Sequence, residues 1–171
     1  MAIKKEKKPR VSSSHKESFT TIPTPLTLEG LFELDKQNDE LVDVSCANGR
    51  HVISTNKIFR QTKIQEAIID FTAAVKILKE NEVAIKVLKN IFPIYQMCVI
   101  KQFTNLPIQE LDMSNPADVN SLIKVAKALL DNGVMVDLYN SFDEKELNKV
   151  NEMLKLSQSM DKEIGEAMIA I

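Results

Sequence analysis

The sequence predicts a mainly α-helical domain with one β-hairpin near its N-terminus, preceded by a disordered basic arm. Three observations carry this reading. From residue 57 onward apolar residues recur at spacings of three and four, the signature of amphipathic helices. Only 4 Gly and 6 Pro occur in 171 residues, too few for a turn-rich β-sandwich. A single Asn-Gly pair stands between two short runs of alternating apolar residues.

Composition bounds the rest. Hydrophobic residues make up 44% and charged residues 27%, so most of the chain should fold as one domain with its own core. Aromatics are 5% and Trp is absent, which predicts an aliphatic core of Ile, Leu, Val and Met and few platforms for base stacking. The net charge of -2 hides a polarity. Residues 1–25 hold Lys4, Lys5, Lys7, Lys8, Arg10 and Lys16 against Glu6 and Glu17, a balance of +4, which leaves -6 for the remainder. That arm, with its serine run at 12–14 and its prolines at 23 and 25, shows no periodic apolar face and reads as disordered. It is either a solvated tail or an electrostatic anchor for nucleic acid or a membrane surface.

The folded domain is placed at residues 26–171. Thr27 can cap a first short helix that puts Leu28, Leu31 and Phe32 on one face. The hairpin follows at about 41–55. With Asn48-Gly49 as a two-residue loop, Cys46 pairs with His51 and Val44 with Ile53. A lone hairpin is marginal in water, so it must pack on helices or on another chain. Helical periodicity then runs from Lys57, with Ile64, Ala67, Ile68, Phe71, Ala74, Val75 and Leu78 inward. Asn81 can cap the next helix, which is apolar nearly all round past Pro93, where a kink or restart is expected. Asn115-Pro116 opens a further helix whose inward face reaches Leu129 and Leu130, and Gly133 suits its left-handed end. A short helix covers 134–139. Ser141 and Glu144 form a capping box for the last long helix.

No catalytic constellation can be assembled. His15 lies in the arm, and His51 and Cys46 have no third ligand at zinc spacing, so no metal site and no cofactor is expected. The carboxylates fall at helix starts or on polar faces, none beside a histidine, and no Gly-rich loop can hold phosphate. Lys76, Lys79, Lys86 and Lys89 read as the solvated edge of two helices. The stretch 83–103 is broken by Lys86, Lys89, Asn90, Pro93 and Lys101, so it does not span a bilayer. No secretory signal is visible either, which predicts a cytoplasmic protein (host cytoplasm if viral) with reduced thiols. The sequence therefore predicts a non-enzymatic binding protein.

One pattern points to a partner. The apolar helix from Val87 to Phe103-Thr104-Asn105 is followed by a loop and by the helix ending Leu130-Asp131-Asn132-Gly133-Val134. Next comes the acidic start Phe142-Asp143-Glu144-Lys145-Glu146-Leu147. Together they resemble the phage tail assembly chaperones of long-tailed phages infecting Gram-positive hosts. The resemblance covers about residues 40–157 and leaves the basic arm outside. It implies a protein that keeps the long apolar tape-measure protein soluble until tail-tube subunits polymerise around it, and that is absent from the finished particle. Several copies along one client imply self-association. Tyr95, Met97 and Phe103, with Met160, Ile164, Met168 and Ile169 at the C-terminal end, are the residues expected to meet that partner. The alternatives are a structural protein of the virion and a regulatory protein that holds nucleic acid through its arm.

Overall fold

A computed structural model describes residues 25–81 and 84–169, with side chains for 25–81 and 89–159. The expectation of a disordered arm therefore falls outside the described residues. Within them the predicted class is what is found. The elements run α1 (Leu28–Gln37), β1 (Leu41–Cys46), β2 (His51–Asn56), α2 (Gln61–Asn81), α3 (Ala84–Phe103), α4 (Pro116–Asp131), α5 (Val134–Ser141) and α6 (Glu144–Ile169).

The hairpin has the predicted register, with Cys46 opposite His51 and Val44 opposite Ile53. Its loop needs three consecutive positive φ angles: 52° at Ala47, 58° at Asn48 and 79° at Gly49. Asn and Gly adopt this region readily, whereas the Cβ of Ala47 makes it cost about 1–2 kcal/mol. The compensation comes from α5, where Asp137 Oδ2 accepts the Ala47 N–H at 3.0 Å. At the other end, Thr55 bridges to Thr104 just past α3. Asn105 closes the contact twice. Its N–H donates to the Ser54 carbonyl and its Oδ1 accepts from the Ser54 N–H, both at 3.0 Å. The hairpin is thus clamped onto the helical body at loop and strand ends, which supplies the packing that an isolated pair of strands lacks.

Helix α3 lies at the centre, with Ile94, Met97, Cys98, Val99, Ile100 and Phe103 all buried. It packs against α2 and α4, while α6 closes over α2 and α5 covers β1. The helix runs through Pro93 without a restart. Proline removes one backbone bond there, and the burial of Ile94 through Phe103 on its C-terminal side outweighs that loss.

The core departs from the aliphatic expectation. Phe59 and Phe103 stack with ring centroids 3.7 Å apart, and Phe142 meets Phe59 edge-on at 5.1 Å. Tyr139 adds a further edge contact on Phe142 at 5.7 Å. The few aromatics are concentrated at one point, where each buries more area than an aliphatic side chain can. Phe59 also explains why α2 starts at Gln61 rather than at Lys57. Its N–H donates to Glu146 Oε2 at 2.8 Å, tying residues 57–60 to α6 instead of to a helical turn.

Four caps test the local reading. Thr27 Oγ1 accepts from the Gly30 N–H at 3.1 Å, and Asn115 Oδ1 from the Ala117 N–H at 3.0 Å, as predicted. Gly133 is left-handed at φ 73°. The fourth differs. Ser141 belongs to α5, where its hydroxyl donates to Leu138 O at 2.6 Å, and Asp143 caps α6 by accepting from the Lys145 N–H at 2.8 Å. Asn81 ends α2, its amide donating back to Ile77 O at 2.8 Å. Leu130, expected inward, shares the stripe of Ile123 and Ala126 yet is exposed, because it stands in the last turn of α4 beside an open groove.

Candidate partner-binding surface

The residues expected to meet a partner separate into three groups. Met97 and Phe103 are fully buried in the core, so no partner reaches them without opening it. Tyr95 is half-buried on the α3 face turned toward α6. Its hydroxyl donates to Asn151 Oδ1 at 2.8 Å and its ring meets Phe71 edge-on at 5.4 Å, while burial raises its pKa. The side chains of Met160, Ile164, Met168 and Ile169 lie outside the described residues. Their backbone is helical, and a period of 3.6 places positions 160, 164 and 168 on the stripe that carries Val150, Met153 and Leu154.

That stripe borders a groove. Phe71 and Val75 of α2, Ile91 of α3 and Leu154 of α6 form its apolar wall, with Lys76, Lys79 and Glu80 at the rim, around a volume of about 480 Å³. Tyr95 sits beside it through its contact with Phe71. At 1.5 Å per residue α6 is about 39 Å long, so the helix runs well past Leu154.

A second groove, about 640 Å³, lies between α3 and α4. Pro93, Ile123 and Leu130 line it together with Lys89, Lys124 and Lys127, and among the described residues no carboxylate does. The lysines read as the solvated edge of two helices fall on two grooves, with Lys76 and Lys79 on one and Lys89 on the other. The side chain of Lys86 lies outside the described residues.

The largest apolar exposure is elsewhere. Thirteen large apolar side chains are exposed among the described residues, and eight of them lie between residues 26 and 52. Five belong to α1 and its approach: Leu26, Leu28, Leu31, Phe32 and Leu34. No residue of α1 is buried. The helix is held at its C-terminal end by Arg60, whose guanidinium reaches Asp35 at 2.6 Å and Asp39 at 2.7 Å. These hydrogen bonds keep Arg60 still more firmly protonated. Clusters of this kind mark contact surfaces, whereas single exposed apolar residues are ordinary.

Reactive groups are quenched by their surroundings. Burial, then the Asp70 carboxylate, pushes the Cys98 thiol far up, and burial followed by Asp137 raises that of Cys46. Neither is a ready thiolate nucleophile. His51 points to solvent although its strand partner Cys46 is fully buried. Among the described residues no three His, Cys, Asp or Glu side chains are grouped to hold a metal. No helix among them is long and apolar enough to cross a membrane.

Two polar features had no signal in the sequence. Lys101, which reads as a solvated charge, is buried, with Nζ 2.9 Å from Asp70 and 2.7 Å from Leu111 O. The Tyr139 hydroxyl is buried without a hydrogen-bond partner, and burial drives its pKa strongly upward.

Comparison with known proteins gives one family. The YomO family model matches residues 28–171, beginning at the first residue of α1. No curated protein and no solved structure matches the chain. The basic arm lies outside the matched unit, and α1 through α6 lie within it. The chain belongs to the YomO family, a family name of phage type.

Proposed function

We propose that this protein is a non-enzymatic binding protein that holds an apolar helical segment of another protein in the groove of α2, α3 and α6. In the phage setting that the family name indicates, the client is the tape-measure protein and the role is that of a tail assembly chaperone. The observation that carries the reading is the groove itself. Its apolar wall is formed by Phe71, Val75, Ile91 and Leu154, and the sequence of α6 carries further apolar residues beyond Leu154, among them Ile164 and Met168. An amphipathic client helix presents residues at the same spacing and would cover this wall. The mixed rim of Lys76, Lys79 and Glu80 would meet charged residues on the client's polar face.

The test is co-expression with the longest helix-rich tail protein of the phage that encodes this chain. The expected result is a soluble complex with the wild type and a precipitated client with Val75→Asp or Leu154→Asp. A client whose solubility does not depend on the chain would discard the reading. Recovery of the chain in finished particles would make it a structural protein of the virion instead. Retention of nucleic acid, lost on removing residues 1–25, would make it a regulatory protein.

A further inference from the structure

Among the described residues, every hydrogen bond or ion pair that leaves α1 for the body beyond the turn at 38–40 ends on one side chain, Arg60. We propose that Arg60 is a latch for this segment. While its guanidinium is engaged, residues 28–37 are helical. When it lets go they unfold alone, and β1 through α6 stay folded.

The sequence of α1 makes the helix dependent on outside support. It has ten residues and buries none of them, whereas an isolated helix in water needs about 12–15 even with favourable composition. Gly30 in its second turn weakens it further. Asp35 stands in the last turn, where the negative end of the helix dipole disfavours a carboxylate. Only the N-terminus is capped from within, by Thr27.

Arg60 repairs the C-terminal end. Its Nη1 donates to Asp35 Oδ1 at 2.6 Å and neutralises the misplaced carboxylate. Its Nη2 donates to the Asp35 carbonyl at 3.0 Å, a last-turn carbonyl otherwise met by the cap N–H of Asn38. Nε and Nη2 also grip both oxygens of Asp39, just past the helix, at 3.1 and 2.7 Å. This planar fork is a geometry that an ammonium does not supply. Arg60 is thus a C-terminal cap supplied by another element.

The attachment is ionic where a docked helix is ordinarily apolar. Leu28, Leu31 and Asp35 follow at intervals of three and four on one stripe, so the carboxylate takes the place of the next apolar residue. The side chains of Asp35 and Asp39 are 53% and 64% exposed, and salt therefore screens the contact. The anchor itself is rigid. The Arg60 carbonyl accepts the Ile64 N–H at 3.0 Å as α2 begins, and the neighbouring Phe59 is stacked in the core. Release then frees α1 without loosening the body, an order–disorder step confined to one segment. The latch decides whether Leu28, Leu31, Phe32 and Leu34 are displayed on a preformed helix or on a flexible chain. The inference does not rest on the chaperone reading.

The experiment is hydrogen exchange of the full chain, read by mass spectrometry of peptides spanning residues 28–37 and 94–103. In the wild type at low salt, 28–37 should be measurably protected. Raising sodium chloride to about 1 M should cut that protection at least about fivefold and leave 94–103 unchanged. Arg60→Gln should show the same loss already at low salt. So should Asp35→Ser/Asp39→Ser, which leaves the entrance to α2 intact and keeps a similar helix propensity without the charge. Protection of 28–37 that survives in both variants, or that ignores salt in the wild type, would overturn the proposal. So would a wild type unprotected there from the outset. Exchange that rises in 94–103 together with 28–37 in both variants would overturn it as well, because α1 would then belong to the cooperative core.

Discussion

Helices α1 and α4 are built on the same plan and meet opposite fates. Each opens on a side-chain cap, Thr27 or Asn115, and each carries an apolar face at helical spacing. Helix α4 buries Val119, Leu122, Ile123 and Ala126 against α3 and α5, whereas α1 buries nothing. Amphipathicity states that a face seeks cover; it does not state that the cover belongs to the same chain. Most of the stability therefore resides between β1 and α6, and α1 stands outside that account, attached through the Arg60 ion pairs.

The comparison is broken most sharply at its packed end. Phe103 is fully buried, stacked on Phe59 at the junction of α3, the hairpin and the α6 entry. Phe103→Ala leaves a cavity that the surrounding rings cannot close, and should cost about 3–5 kcal/mol. Urea unfolding followed by circular dichroism reads this directly. A loss near zero would mean that the aromatic cluster is not the keystone of the core.

A somewhat smaller loss is expected at the buried ion pair. Lys101 Nζ contacts Asp70 at 2.9 Å, and Gln102 donates to the same carboxylate oxygen at 3.2 Å. Asp70→Ala strands a buried ammonium and should cost roughly 3 kcal/mol. The double variant Asp70→Ala/Lys101→Met removes the stranded charge and should be more stable than Asp70→Ala alone. If the double variant is the less stable of the two, the lysine stem and its bond to Leu111 O matter more than the charge.

These residues also show which parts of the molecule were legible in the sequence. The hairpin register was, because Asn48-Gly49 fixes the loop and a period of two fixes every pair after it. The caps at Thr27, Asn115 and Gly133 were, because each satisfies orphan backbone groups within a few residues. The choice between Ser141 and Asp143 was not. Both fit a cap, and the outcome turns on α5 extending far enough for Ser141 to bond Leu138. The Phe59–Phe103 stack and the burial of Lys101 join residues far apart in the chain, and no local pattern carries that information. Met97 and Phe103 were expected at a partner surface through the phage resemblance, whereas the all-round apolarity of α3 already pointed to the core in which they are buried. The grooves are likewise properties of helix pairs. Periodicity identifies each wall but not which walls face each other.

The smallest effect sharpens the comparison best, because it uses the residue type that gave the largest one. Phe32 on α1 is 63% exposed, so Phe32→Ser removes little packing within its own chain. At dilution, where the chain is monomeric, its unfolding free energy should stay within about 0.5 kcal/mol of wild type. If a second copy covers α1, the two should diverge at high concentration, because only the wild type then gains stability from a partner that binds the folded state. The measurement is the thermal midpoint of both proteins across a hundredfold dilution series. A gap that opens with concentration locates the cover of α1 on another molecule. A gap equally wide at every dilution would place that cover within the chain, and α1 would then belong with α4 after all.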